Sequence, residues 1–349
     1  MIEGDNSMPE AIRQMSICNA CRYCEGYCAV WDAIEFKPVL NKGYISHLAN
    51  LCHDCRDCFY ACPYKDPDHE FKLNIPRVLG QVRVETYYAN IRPKFWGESV
   101  RNIKIRGSRY NTGIPLRSLI ENGALMCGSE KAGHMVAVDT RSPEFDAGIV
   151  SRIDAIPWGI VINKNVERFY DEGEDIWPKR YAIWGRLVAE QDSQLAYAII
   201  DNKSIGKFMP TAYPSIDAYS IDKLADNIGL KAQDLSYLIS DFNGGIVKKD
   251  DDVFNWSNHK LAIPKSHWAV PINTPPYHAY PLSPGLTFTY QGIRINRTGR
   301  VVLKDGELEN GFAAGEIASG NVLRSGYLAG FGLTIGTTLG RLAGGWEND

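Results

Sequence analysis

Two runs of cysteine constrain this chain more than anything else in it. CNACRYCEGYC carries Cys18, Cys21, Cys24 and Cys28, and LCHDCRDCFYACP carries Cys52, Cys55, Cys58 and Cys62. Each reads C-x2-C-x2-C-x3-C, the spacing with which thiolates hold iron–sulfur cubanes, the fourth cysteine of each run serving the other cluster. Cys18, Cys21, Cys24 and Cys62 are therefore assigned to one [4Fe–4S] cluster, and Cys52, Cys55, Cys58 and Cys28 to a second. The short spacers let one tight loop wrap three corners of a cube, while the distant fourth ligand ties the two loops together. Structural zinc takes separated C-x2-C pairs, or Cys with His, in a tetrahedron, a poor match to three close cysteines occurring twice. Disulfides match less well, since a chain of 349 residues can build a core without staples. Pro63 follows Cys62, whereas Ala29 follows Cys28.

The remaining composition is that of an ordinary globular protein, with a formal net charge of -3 and 44% hydrophobic residues. No basic excess points to nucleic acid. The ninth cysteine, Cys127 in GALMCGS, reads as a small buried hydrophobe. Clustered thiolates imply a reducing compartment, so the expected location is cytoplasmic, peripheral at the inner face of the membrane if its partner lies there. Met1–Met15 shows no signal-peptide core, and no apolar run approaches the roughly 20 residues of a membrane span. Uncharged Ser325–Gly340 is too short and reads as a tightly packed helix.

Taken in order, residues 1–90 form the cluster module. A helix beginning near Pro76 offers Val78, Leu79, Val82 and Tyr87 to one cluster face. Beyond it, a helix is expected from Pro115 to Asn122, ended by Gly123. Gly159–Ile162, the turn at Asn163 and a return ending at Glu172 read as a β-hairpin. Trp177–Glu190 reads as a helix, followed by the apolar run Leu195–Ile200. Further helices are expected from Ser220, a candidate N-cap, to Ile228, and from Ala232 to Asn243 with Gly244 as the stop. Strands follow near Leu286–Tyr290, Ile293–Asn296 and Val301–Leu303, with turns at Thr298–Gly299 and Asp305–Gly306. Finally Gly332, Gly336, Gly340 and Gly344 recur every four residues, a stripe that lets a helix backbone approach a sheet or a ligand. At about 1 kcal/mol per glycine against alanine, such a stripe needs a packing or ligand reason.

The segment MSICNACRYCEGYCAVW through HEFKLNIPRVLGQVRVETYY, residues 11–90, resembles the N-terminus of the iron–sulfur proteins of tricarballylate and citrate utilisation. In that family a membrane domain follows and passes electrons toward the quinone pool; here it is absent. Residues 95–345 resemble the C-terminal part of FAD-dependent tricarballylate dehydrogenases, in the fumarate reductase and succinate dehydrogenase flavoprotein superfamily. That resemblance rests on RGSRYNTGIPLR, PWGIVINKNVERFYDEG, GLTFTYQGIRIN and AAGEIASGN…GYLAGFGLTIGTTLGRLAG. It implies an α+β multidomain chain: a two-[4Fe–4S] ferredoxin-like helical module (1–90), a segment of an FAD-binding α/β domain (91–127), a capping domain over the substrate (128–255) and the C-terminal part of the FAD-binding domain (256–349). The strand–G-x-G-x-x-G–helix unit that cradles a pyrophosphate is not found, and the flavoprotein resemblance starts part-way through the family's chain.

The resemblance also implies site residues. Gly315 and Glu316 of the AAGE motif face the flavin's sugar or ribityl hydroxyls, and Gly330, Gly332, Leu333 and Thr334 open a helix whose N-terminus points at the ring, where negative charge develops on reduction. The proton-transferring Arg of fumarate reductases aligns with Tyr181, one residue after Arg180; Arg186 follows. The family's substrate His aligns with Phe288 and its carboxylate-binding Arg with Tyr327, near Arg324. With His134, beside the apolar run of GHMVAVD, and Thr287, which alternates with apolar residues on a strand and either bonds substrate or only pairs across the sheet, the catalytic candidates are Arg180, Arg186, His134, Thr287 and Tyr327. His134, Arg180 and Arg186 have ordinary alternatives, a core histidine and solvated helix faces. Two functions are expected. In one, a flavin oxidoreductase oxidises a tri- or dicarboxylate and passes electrons through both clusters to a membrane protein or quinone-linked subunit, the nucleotide-binding half coming from a separate flavoprotein chain. In the other, an iron–sulfur electron carrier bears an inactive flavoprotein remnant.

Overall fold

The computed structural model describes residues 7–34, 39–86, 102–111, 113–145, 147–148 and 150–345. They fall into two units, divided between Arg101 and Asn102.

The first unit is helical: α1 (Ser7–Cys21), α2 (Ala29–Ile34), α3 (Lys42–Leu51), α4 (Asp57–Ala61) and α5 (Ile75–Thr86). Asn41 caps α3 by accepting from the Tyr44 amide, and Asn74 caps α5 by accepting from the Arg77 amide. The Gln14 side chain accepts from the Asn74 amide (2.8 Å), fixing the start of α5 against α1. Ile75, Val78, Leu79 and Val82 form the stripe expected of α5 and bury into one core with Met15, Ile45, Leu48, Cys18, Cys24 and Cys52. Tyr87 lies outside the described residues. One expectation changes: Cys18 and Cys21 sit on the last turn of α1, not in a loop, because the SMPEAIRQMSICNAC run carries helical spacing to its end.

The second unit is built on a six-stranded sheet. Its strands are β1 (Lys104–Ile105), β3 (Gly133–Asp139), β4 (Ile160–Asn163), β5 (Ala196–Asp201), β6 (Ile216–Ala218) and β9 (Tyr277–Thr289). Short pairs β2 (Met126–Cys127) with β10 (Gly292–Ile293), β7 (Val247–Lys248) with β8 (Trp256–Ser257), and β11 (Arg300–Leu303) with β12 (Gly306–Phe312) complete the strands. The helices are α6 (Ile114–Glu121), α7 (Trp177–Arg180), α8 (Trp184–Ala189), α9 (Ile221–Ile228), α10 (Ala232–Gly244) and α11 (Phe331–Ala343). Strand β9 organises the sheet: its first half pairs with β5 and β6, its second with β3 and β1. β4 and β5 are buried throughout because both faces are covered: Ile160, Ile162, Tyr197 and Ile199 meet α9 and α10, while Val161, Ala198 and Ile200 meet Trp184 and Leu187 of α8.

Several elements differ from the sequence expectation. The strand placed at Leu286–Tyr290 begins at Tyr277, its prolines tolerated within a buried ladder. The return limb of the Asn163 hairpin is a single bridge, Ile162 to Arg168. That segment is anchored by side chains instead: Glu172 accepts from the Val161 amide and binds Arg168 in a buried pair (2.5 Å), and Lys265 donates to the carbonyls of Pro157 and Gly159. The Trp177–Glu190 helix is broken by a 3-10 turn, Tyr181–Ile183. The glycine stripe of α11 meets no sheet: a Cβ on Gly336 would sit 3.8 Å from the Gly315 Cα, and one on Gly340 would meet nothing within 4 Å. Cys127 is half-buried, its thiol 3.4 Å from the Ile293 carbonyl oxygen.

Candidate functional site

In the first unit the two cysteine runs interleave. The charge of Cys62 acts on Cys18 and Cys24, and that of Cys21 on Cys62; Cys28 acts on Cys52 and Cys58. Effects also run between the two sets, Cys24 on Cys58 and Cys28 on Cys24, so the two runs lie together as one group of thiols. Cys24 Sγ, 3.8 Å from the Cys58 carbonyl oxygen, joins the two sets. The chain turns this tightly because Arg22, Gly26, Asp54 and Arg56 adopt left-handed backbone conformations. Burial and then the neighbouring thiols push Cys24 up to about 11 and Cys58 up to about 12, and Cys18 upward as well. Burial of Cys18, Cys24 and Cys52 disfavours their thiolates, and an iron–sulfur core bound there would supply the missing positive charge. The Tyr64 amide donates to Cys62 Sγ (3.3 Å), the kind of bond that stabilises a ligating sulfur. Among the described residues no three His, Cys, Asp or Glu side chains converge on a point that would hold a single ion. The interleaved thiols and the Tyr64 amide are the chemistry with which a chain would hold iron–sulfur.

In the second unit the sheet register creates a cluster. His134 pairs with Phe288 and Met135 with Leu286, so Thr287 is an extra residue bulged out of β9. The bulge turns Thr287 and Phe288 both toward His134: Thr287 Oγ1 lies 2.8 Å from His134 Nδ1, and the Phe288 ring stacks on the imidazole. Gly133 permits this, since a Cβ there would lie 2.8 Å from the Phe288 carbonyl oxygen. Tyr181, presented by the 3-10 turn, places its hydroxyl 3.0 Å from His134 Nε2. The turn can press on β3 because Gly185 has no side chain; a Cβ would stand 2.6 Å from the Val136 carbonyl oxygen. Tyr327 meets the His134 ring edge-on at 4.3 Å, and its hydroxyl accepts from the Gly332 amide at the start of α11 (2.8 Å). Burial, then the charge of Arg106, hold His134 down to about 4, a neutral imidazole. Burial and Tyr327 push Tyr181 up to about 12.

Two arginines border this array. Arg152 is paired with Asp154 (2.6 Å) and lies over the Tyr181 ring. Arg106 Nη1 donates to Thr287 Oγ1 (2.8 Å) and its Nε to the Gly148 carbonyl, yet it has no carboxylate partner among the described residues. Burial and Arg152 pull its pKa down, as for a cation lacking a counter-ion.

Of the five catalytic candidates, the structure brings together His134, Thr287 and Tyr327. Arg180 lies beside Glu174 (3.1 Å), and Arg186 pairs with Glu190 on an exposed helix face (2.7 Å); neither bonds to the array. Sequence reasoning missed Arg106, Arg152 and the role of Tyr181. The signal for Arg106 was present in RGSRYNTG, and that for Tyr181 in its alignment with the family's arginine.

The flavin candidates lie around the start of α11. Gly315 and Gly330 have positive φ and open space where a Cβ would project. Glu316 is exposed and has no hydrogen-bond or ionic partner among the described residues; the protein packed around its carboxyl raises its pKa. The Gly332 amide is taken by Tyr327, whereas the Leu333 amide has no intrahelical acceptor and its side chain is 80% exposed. The Thr334 hydroxyl turns back to the Gly330 carbonyl. An orphan carboxylate, open glycines and a helix N-terminus fit a flavin's hydroxyl-bearing chain and ring edge.

Comparison with known proteins agrees with both halves. Residues 11–89 match the citrate utilization protein B Fer4-like domain, and residues 104–333 match the FAD binding domain family. Citrate utilization protein B of Escherichia coli is 47% identical over 92 residues, 26% of this chain and 24% of that protein. NADH:acrylate oxidoreductase of Vibrio harveyi is 26% identical over 261 residues, 73% of this chain and 25% of that protein. The probable fumarate reductase Ifc3 of Shewanella frigidimarina (strain NCIMB 400) is 28% identical over 191 residues, 53% of this chain and 30% of that protein. The chain thus spans less than a third of the length of each of these relatives. Among solved structures, the open conformation of a flavocytochrome c3 fumarate reductase superposes with a TM-score of 0.51 at 22% identity, over 74% of this chain and 42% of that one. The 3-ketosteroid-delta4-(5alpha)-dehydrogenase of Rhodococcus jostii RHA1 gives 0.52 at 22% identity, over 74% and 50%. The chain belongs to the FAD binding domain family and carries, ahead of that domain, a citrate utilization protein B Fer4-like domain.

Proposed function

We propose that this chain is an oxidoreductase acting on a tri- or dicarboxylate of the tricarballylate type, with electrons leaving through two [4Fe–4S] clusters toward a membrane-bound or quinone-linked acceptor. In this reading residues 128–255 cap the substrate, and a separate flavoprotein chain completes the nucleotide site. Bound FAD supplies the two-electron acceptor and the clusters the one-electron exit.

The observation that carries the reading is Arg106, a half-buried guanidinium with no directly paired carboxylate among the described residues, bonded to Thr287 in the same array as His134 and Tyr181. Such a cation suits a substrate carboxylate. Arg106 can only donate, so Thr287 accepts from it and gives its own proton to His134 Nδ1. Nε2–H then donates to the Tyr181 oxygen, which leaves the phenolic O–H for the substrate. Transfer of that proton to His134 is excluded by magnitude. With Tyr181 at about 12 and His134 at about 4, the step is uphill by about 8 units, on the order of 11 kcal/mol. His134 is therefore a positioning residue. In the oxidising direction the substrate's proton would pass to the Tyr181 phenolate, the form Arg106 and Arg152 favour, while the hydride would go to bound FAD; the phenol is the form left at the end. Phe288 and Tyr327 exclude water around them.

The second reading, an electron carrier with an inactive remnant, is favoured by the missing strand–G-x-G-x-x-G–helix unit. Calorimetry with tricarballylate separates the two. The enzyme reading expects binding that weakens at least tenfold in Arg106→Gln; equal or absent binding in both proteins contradicts it.

A further inference from the structure

Asp154 has no assigned role in the reading above, yet it ties together the side chains packed on Tyr181. Its carboxylate takes Arg152 in a two-bond fork, from Nε at 2.7 Å and Nη2 at 2.6 Å, and also accepts from the Trp177 indole N–H at 2.7 Å. The Arg152 and Asp154 side chains are 18% and 6% exposed, so water screens the pair little. Local geometry brings these groups together. The segment carrying Arg152 runs along the edge of β3, with Arg152 bridged to Val138 and the Ile153 amide bonded to the Ala137 carbonyl. Trp177 opens α7, and Tyr181 follows one turn later with its amide bonded to the Trp177 carbonyl, so the two rings share a face. With Asp154 seated on the indole, the Arg152 guanidinium lies over the Tyr181 ring, 4.8 Å from its centre. The two arginines of the array therefore differ. Arg106 has no carboxylate partner among the described residues, whereas Arg152 is fully engaged by one.

We infer that Asp154, steadied by Trp177, is a positioning residue that holds Arg152 over the Tyr181 ring and withholds it from the substrate, so that Arg106 alone in the array takes a carboxylate. A guanidinium bound through its fork by one carboxylate has its charge compensated and its orientation fixed. A single free cation gives the substrate a single orientation against the Tyr181 oxygen. A second free cation beside it would compete for the same carboxylate.

This inference rests on the carboxylate reading, and two measurements on the full chain, purified anaerobically, keep their failures apart. The first is calorimetry with tricarballylate on Asp154→Asn, Arg106→Gln and the double variant. Asparagine keeps an acceptor for the indole but loses the charge, which frees Arg152. Asp154→Asn should bind at least as tightly as the wild type, where a merely structural loss would weaken binding. Arg106→Gln, which costs roughly tenfold alone, should cost less than about threefold in the Asp154→Asn background. Weaker binding by Asp154→Asn, or an undiminished cost of Arg106→Gln beside it, overturns the inference. The second measurement needs no substrate. Nitrogen-15 magnetic resonance follows exchange of the Arg152 Nε–H with water, its signal assigned by loss in Arg152→Lys. Exchange should be about tenfold faster in Asp154→Asn, with Asp154→Glu recovering part of the protection. If the wild type binds no tricarballylate, the carboxylate reading fails and this exchange rate alone decides the inference; equal rates overturn it. If Asp154→Asn does not fold, Trp177→Phe keeps a ring but removes the indole donor, and should show both effects in weaker form.

Discussion

Acidification should expose the environment of His134 directly. Its ring is 4% exposed, stacked on Phe288 and bonded to Thr287 and Tyr181, with Arg106 adding positive charge nearby. These effects hold its pKa at about 4, against 6.5 for an unperturbed histidine. The gap of about 2.5 units is worth roughly 3 kcal/mol at about 1.4 kcal/mol per unit. In the unfolded chain His134 takes up a proton as pH falls through 6.5, whereas the folded chain stays neutral until about 4. The unfolded state binds more protons throughout that window, so this group removes stability as pH falls from 6.5 to 4 and nothing further below it. His134→Gln keeps a donor and an acceptor but cannot titrate, and carboxylates common to both proteins cancel in the difference. Anaerobic urea unfolding of both proteins between pH 7 and 4 should show the wild type losing about 3 kcal/mol relative to the variant. Magnetic resonance of ring-labelled histidine should find His134 unmoved above pH 5. A flat stability difference, or a His134 resonance that titrates near 6.5, would refute the argument.

Other expectations follow from single contacts. Arg168→Ala leaves buried Glu172 with only the more distant Lys265 (3.8 Å) and the Val161 amide; thermal unfolding should show a loss on the order of 3 kcal/mol, and less than 1 would contradict the anchoring role. Gly159→Ala places a Cβ 1.9 Å from the Ile199 carbonyl oxygen, so it should sharply reduce soluble folded protein, and a wild-type melting curve would count against the packing described. Tyr181→Phe keeps the ring under Arg152 but removes the moving proton. Turnover should fall at least 100-fold while tricarballylate affinity stays within threefold; unchanged turnover would remove Tyr181 from the chemistry.

The Fer4-like module was legible because iron–sulfur ligation imposes a cysteine spacing that few other structures need. The stripe on α5 was equally plain, since Val78, Leu79 and Val82 repeat at helical period. The helix through Cys18 and Cys21 was not, because the cysteine spacing drew attention away from the helical pattern of Ser7–Cys21. In the second unit, period and caps located α9 and α10: Ser220 does accept from the Lys223 amide, and Gly229 takes a left-handed turn. What could not be read were features made by distant partners. The bulge at Thr287 exists only in register with His134, and the break at Tyr181 exists only where Gly185 lets a helix press on β3. Arg106 gained its meaning the same way, from Thr287, far away in the sequence. Arg180 and Arg186 were singled out by their place after RFYDEG; Arg186 pairs with Glu190, while Arg180 lies 3.1 Å from Glu174 with its Nε unmet by a hydrogen bond.

The measurement closest to the central claim is anaerobic purification of the chain, with iron, sulfide and flavin counted per polypeptide before and after tricarballylate is added. The account predicts about eight irons and eight sulfides, as two cubanes require. It also predicts flavin, taken up when the flavoprotein partner is present and bleached by the substrate. Eight irons with no flavin under any condition would leave only the electron carrier, and a chain without iron would contradict the account at its base.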